Sequence, residues 1–166
     1  MSNWENYKNT FNSSEDIFSL ARGGNAQELK YFLSSDHGID INQKNHRGYS
    51  PLMISVYNGN YETSGLLLEK GADPNSTDLS GNTILMGAAF KGDVEITLLL
   101  IKYGAQKNMK NHSGLTAQQW ANAFGRTNVV SILSTEHKHS KFPNIMNTIK
   151  IIWGFLKPNT KKEVLA

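Results

Sequence analysis

The sequence predicts an all-α solenoid of stacked helix–turn–helix units, with one extra helix at the C-terminal end. Two features of spacing carry this expectation. Gly48, Gly81 and Gly114 recur every 33 residues, and so do Gly59, Gly92 and Gly125. Asn42, Asn75 and Asn108 form a further series with the same period. A fixed period of this size marks a linear array of supersecondary units, none of which can bury its apolar face alone. Such an array presents an extended surface rather than an enclosed catalytic pocket.

The elements follow in order. An N-terminal extension spans 1–12. The first unit, 13–44, is truncated; Ile17, Leu20, Ala21, Leu29, Phe32 and Leu33 flank Gly23-Gly24 in a helix–turn–helix pattern. Its exit, Ser34 to Asn42, is two residues longer than the same segment of the second unit. The second unit, 45–77, opens with turn chemistry. Gly48 tolerates positive φ, Ser50 suits the cap of the next helix, and Pro51 enters where its missing N–H costs nothing. Thr83 and Thr116 take the capping position in the third unit (78–110) and the fourth (111–135). The first helix of each unit is short and rich in small residues (Gly87, Ala88, Ala89; Ala121, Ala123), which lets a neighbouring backbone approach closely. It ends at Gly59, Gly92 or Gly125, the usual position for a terminal glycine. The second helix carries Leu67 and Leu68, Leu99 and Leu100, or Ile132 and Leu133 on the face that packs against both neighbours.

Beyond the fourth unit, a polar linker at 136–143 leads into an amphipathic helix at 144–157. Ile145, Ile149, Ile152, Trp153 and Leu156 share one of its faces. Pro143 and Pro158 bound it, and a basic tail follows at 158–166. A cap over the end of the stack is the leading reading of this helix, because terminal units need one. A docking helix for a partner groove and a helix lying on a membrane surface stay open as alternatives.

Charge is distributed unevenly. Residues 1–135 hold 11 Lys/Arg and 12 Asp/Glu, whereas residues 136–166 hold 6 Lys and 2 Glu. The basic balance therefore belongs to the tail, and no nucleic-acid partner is expected for the repeat body. With no cysteine, neither disulfides nor thiolate metal sites are available. Lacking a Sec-type leader or an apolar run of about 18 residues, the chain is expected to be cytoplasmic. Gly87-Ala88-Ala89-Phe90-Lys91-Gly92 imitates a phosphate loop but has Lys-Gly in place of Gly-Lys-Ser/Thr. His137 and His139 lack further nearby ligands, and His46 and His112 stand two units apart. No catalytic, cofactor-binding or metal-binding residues are assigned.

Ser50-Pro51-Leu52, Gly71-Ala72-Asp73-Pro74-Asn75 and the 33-residue period together resemble ankyrin repeats. The resemblance covers residues 13–135. It weakens at Ala117 and Gln118, where the family has proline and leucine; Trp120 is read as recovering the lost apolar contact. The resemblance implies a non-enzymatic module that binds another protein. Its concave face would be built from the turn tips and the exposed side of the first helices. Transferred by position, that face comprises His46, Arg47, Tyr49, Tyr57 and Asn58 in the second unit. The third contributes Leu79, Asn82, Met86, Phe90 and Lys91, and the fourth His112, Leu115, Gln119 and Phe124. Tyr49, Tyr57, Phe90 and Phe124 lie where the pattern needs no large apolar group, as binding hot spots do. Asn82 is expected to be a solvated tip, so that Asn82→Ala changes stability by no more than about 0.5 kcal/mol. Two other roles stay open: an inhibitor or immunity-like protein that blocks a partner enzyme or toxin, and an enzyme using the C-terminal segment.

Overall fold

The computed structural model of the chain describes residues 16–35 and 38–134. The extension at 1–12, the linker at 136–143, the helix expected at 144–157 with Trp153, and the tail at 158–166 lie outside the described residues.

The described residues form four consecutive helix pairs. These are α1 (Ile17–Gly23) with α2 (Ala26–Ser35), α3 (Pro51–Asn58) with α4 (Tyr61–Glu69), α5 (Ile84–Lys91) with α6 (Val94–Lys102), and α7 (Ala117–Ala123) with α8 (Thr127–Ser134). The first helices α1, α3, α5 and α7 pack side by side as one layer, and the second helices α2, α4, α6 and α8 as another. Helices of a pair join the layers. Among the described residues the only β feature is an isolated bridge between Thr77 and Thr83.

Local chemistry sets five of the helix starts and three of the helix ends. The hydroxyls of Ser50, Thr83 and Thr116 accept the backbone N–H of Met53, Met86 and Gln119. Asp16 and Asp93 do the same for Ser19 and Ile96. Each cap stabilises its helix by about 1 kcal/mol. Pro51 occupies the first turn of α3. Gly24, Gly59 and Gly92 close α1, α3 and α5 in the left-handed region.

The core lies between the two layers. Leu52, Leu67, Leu68, Leu85, Leu99 and Leu100 are buried, together with Ala88, Ala89 and Ala121 of the first helices. The fourth unit departs here for a visible reason. Gln118, at the register of Leu52 and Leu85, donates from Nε2 to the Ser134 hydroxyl at 3.0 Å, which ties α7 to α8. Trp120 stands at the register of Gly87, packs half-buried against the core and turns its ring toward Phe90 of the preceding unit.

Two polar joints repeat along the array. In the loops, the Asn42 amide takes the Asp73 N–H (2.8 Å) and reaches the Gly71 carbonyl (3.5 Å). One unit later Asn75 takes the Gln106 N–H (2.8 Å) and donates to the Gly104 carbonyl (3.1 Å). This gives Asn42 and Asn75 their physical reason: each side chain satisfies the backbone of the next loop. The second joint sits at the C-terminal ends of the first helices, where carbonyls lack intrahelical partners. Asn60 Nδ2 donates to the Ala21 and Arg22 carbonyls, Lys91 Nζ to Tyr57 (2.8 Å), and Arg126 Nε to Phe90 (3.0 Å). Cations suit these positions, since the helix dipole is negative there.

Candidate binding surface

Each turn tip is a closed polar loop. One side-chain oxygen, of Asn45, Asp78 or Asn111, accepts the N–H groups two and four residues onward. The tips of the third and fourth units also join. The His112 N–H donates to the Ser80 carbonyl (3.1 Å), and Asn111 Nδ2 donates to Asn82 Oδ1 (2.7 Å). This network holds His46, Arg47 and His112 at the exposed edge of the tips. Leu79 projects beyond them at 71% exposure.

Beside the tips, the first-helix layer presents a row of rings. Tyr49 and Tyr57 pack with centroids 6.0 Å apart. The Tyr57 ring lies against Gly87 of the next unit, where an added Cβ would stand 3.2 Å from its Cζ. One helical turn on, Phe90 meets Phe124 edge-to-face at 4.6 Å and Trp120 edge-to-face at 6.1 Å. Trp120 and Phe124 are nearly parallel at 5.9 Å. Apolar packing against these rings and the core positions Trp120, and its buried indole N–H has no acceptor among the described residues. Aromatic pairs of this kind contribute about 0.5–1.5 kcal/mol beyond the area they bury. Phe90 nevertheless remains 37% exposed and Phe124 46%.

The structure sorts the residues expected on this face. His46, Arg47, Leu79, Phe90, His112, Leu115 and Phe124 have exposed side chains, and Tyr49 and Tyr57 are half-buried. Met86 departs from the expectation. It is 2% exposed, and its sulfur accepts the Thr83 N–H at 3.3 Å as the second half of a capping box. Asn82 is not a solvated tip either, since it bonds Asp78 Oδ2 (3.0 Å) as well as Asn111. Asn58, Lys91 and Gln119 are exposed but already engaged, with the Ile54 carbonyl, the Tyr57 carbonyl and the Thr116 N–H respectively. Two neighbours escaped sequence reasoning, Trp120 and Arg126. The signal was a bulky residue at the Gly87 register, and a cation one residue past Gly125.

Burial raises the pKa of the Tyr57 hydroxyl above its ordinary 10.0, with the charge of Asp78 and then Tyr49 adding to the effect. Tyr57 therefore presents a neutral hydroxyl at physiological pH. Among the described residues, no three His, Cys, Asp or Glu side chains gather where they could hold a metal ion. Nor is any helix among them long and apolar enough to cross a membrane.

The model of the family described as ankyrin repeats (3 copies) matches residues 7–78 and 66–147. The chain belongs to the ankyrin repeat family. A Pseudomonas aeruginosa protein whose name describes it as an ankyrin repeat protein is 43% identical over 47 residues. That match covers 28% of this chain and 26% of the relative's length. Ankyrin repeats are generally protein–protein interaction modules, and the family is generally non-enzymatic.

Proposed function

We propose that this ankyrin array binds a partner protein through the face made by its turn tips and first helices, with the aromatic row as its energetic centre. The observation that carries the reading is the Phe90, Trp120 and Phe124 cluster. Its rings are held in fixed geometry by one another, yet Phe90 and Phe124 keep much of their surface in water. Rigid, amphipathic rings give contact area at little entropic cost, and truncating such anchors typically weakens binding by more than about 1 kcal/mol each. The backbone carbonyls behind them are already satisfied by Lys91 and Arg126. The face is thus preorganised and needs no refolding to receive a partner.

The test uses the full chain as bait in lysate of its source cells, beside the variant carrying Phe90→Ala and Phe124→Ala. Proteins captured by the parent and lost from the variant, at unchanged helix content, are the expected result. Capture that is indifferent to both substitutions overturns the assignment of this face.

A further inference from the structure

We infer that the partner segment is acidic, with an aromatic or branched apolar side chain as its anchor; this rests on the reading of the face given above. The argument begins with a partition of charge between the two layers. The turn-plus-first-helix segments at 44–59, 77–92 and 110–125 hold four Lys/Arg (Lys44, Arg47, Lys91, Lys110) against one acid, Asp78. The second-helix-plus-loop segments at 26–43, 60–76 and 93–109 hold four Lys/Arg against eight Asp/Glu. These segments thus carry a basic excess on the turn and first-helix side and an acidic excess on the second-helix and loop side, in a repeat body that is nearly neutral as a whole. A composition reading averages this contrast away.

Asp78, the one acid in those three segments, is spent within the fold, as is Asp16, which caps α1 in the first unit. Asp78 accepts the N–H groups of Ser80 and Asn82 with one oxygen and the Asn82 amide with the other. Lys91 of that set, and Arg126 one residue beyond it, keep donor capacity. Arg126 uses Nε on the Phe90 carbonyl, and Lys91 uses Nζ on the Tyr57 carbonyl. A guanidinium offers five N–H donors and an ammonium three. Those two bonds also fix both cations beside the carbonyls of ring-bearing residues, so carboxylates would meet charge that is already positioned.

The rings narrow the class of ligand further. Centroid separations of 4.6 to 6.1 Å leave no slot between Phe90, Trp120 and Phe124. The cluster is therefore a platform and not a cage, and the adjacent cations repel an ammonium ligand. Single-stranded nucleic acid also combines negative charge with flat bases. It fits less well, because a phosphate backbone calls for a denser cation track than three net charges over three units. An acidic peptide segment matches both the sparse charge and the apolar platform.

The experiment selects displayed random short peptides on the full chain at low salt. Enriched sequences should carry surplus Asp/Glu around one aromatic or leucine. The Arg47→Glu, Lys110→Glu double variant alters two exposed turn-tip cations, and should weaken the best peptide by about tenfold or more. Lys70→Glu, on the second-helix side, should leave binding unchanged. High salt should weaken binding in the parent. Neutral or basic enriched peptides that are nonetheless lost with Phe90→Ala and Phe124→Ala overturn the acidic class while the binding face stands. Enriched peptides indifferent to the ring substitutions, or no enrichment at all, overturn both. An oligothymidylate strand that outcompetes the best peptide moves the assignment to nucleic acid and overturns this inference.

Discussion

Asn82→Ala tests whether the turn tips are loose edges or structural joints. The side chain makes two bonds, from Nδ2 to Asp78 Oδ2 at 3.0 Å and from Asn111 Nδ2 to its own Oδ1 at 2.7 Å. Asn111 is only 8% exposed. Its amide is therefore left with little access to water once Asn82 is truncated, and an orphaned buried donor costs about 1–3 kcal/mol. The bond to the half-buried Asp78 carboxylate adds a smaller amount, because solvent takes part of its place. The expected total is about 2 kcal/mol, which corresponds to a fall of about 1 M in the urea midpoint at unchanged slope. Equilibrium urea unfolding of the full chain is the assay, with His46→Ala as an exposed turn-tip control expected within about 0.5 kcal/mol. If Asn82→Ala stays as close to the parent as the control does, the network between tips carries no stability and the reasoning fails.

Further outcomes follow from other joints. Gly81→Ala and Gly114→Ala share the cost of positive φ (+74° and +76°), about 1–2 kcal/mol. Only Gly81 would also drive a Cβ to within 2.8 Å of the His112 ring and 3.1 Å of its backbone nitrogen, so urea melts should rank it clearly the more damaging. Leu100→Ala empties a fully buried site and should cost about 2–5 kcal/mol in the same measurement. Asn75→Ala should destabilise more than Asn42→Ala, because its donated bond is 3.1 Å long against 3.5 Å. For Tyr57 the sign runs toward alkaline loss. Its raised pKa means the folded state keeps a proton that the unfolded chain releases above about pH 10, so stability present below that value is lost as pH rises. Tyr57→Phe should flatten the alkaline limb of a stability–pH profile, and an unchanged limb would place the cause elsewhere.

Caps, turns and paired leucines were legible from the 33-residue period because each is decided within a few residues of chain. Ser50 and Thr83 reach three residues forward, and Gly59 and Gly92 close helices whose length their own unit sets. The family, the all-α fold and the burial of Leu67, Leu68, Leu99 and Leu100 follow from that local chemistry. The proposed binding face was legible only in outline, since exposure there depends on what the adjacent unit brings against each side chain. Met86 looked available by register, but its sulfur turns in to the Thr83 N–H. Asn82 looked solvated, but its partner Asn111 stands in the next unit, 29 residues away. Trp120 was read as recovering an apolar contact and does pack against the core, but its place at the register where Gly87 makes room for Tyr57 one unit earlier also builds the aromatic platform. Periodicity marks equivalent positions and the backbone they share. The side chains that meet across two units are free to differ, and only tertiary packing decides which of them remain in water.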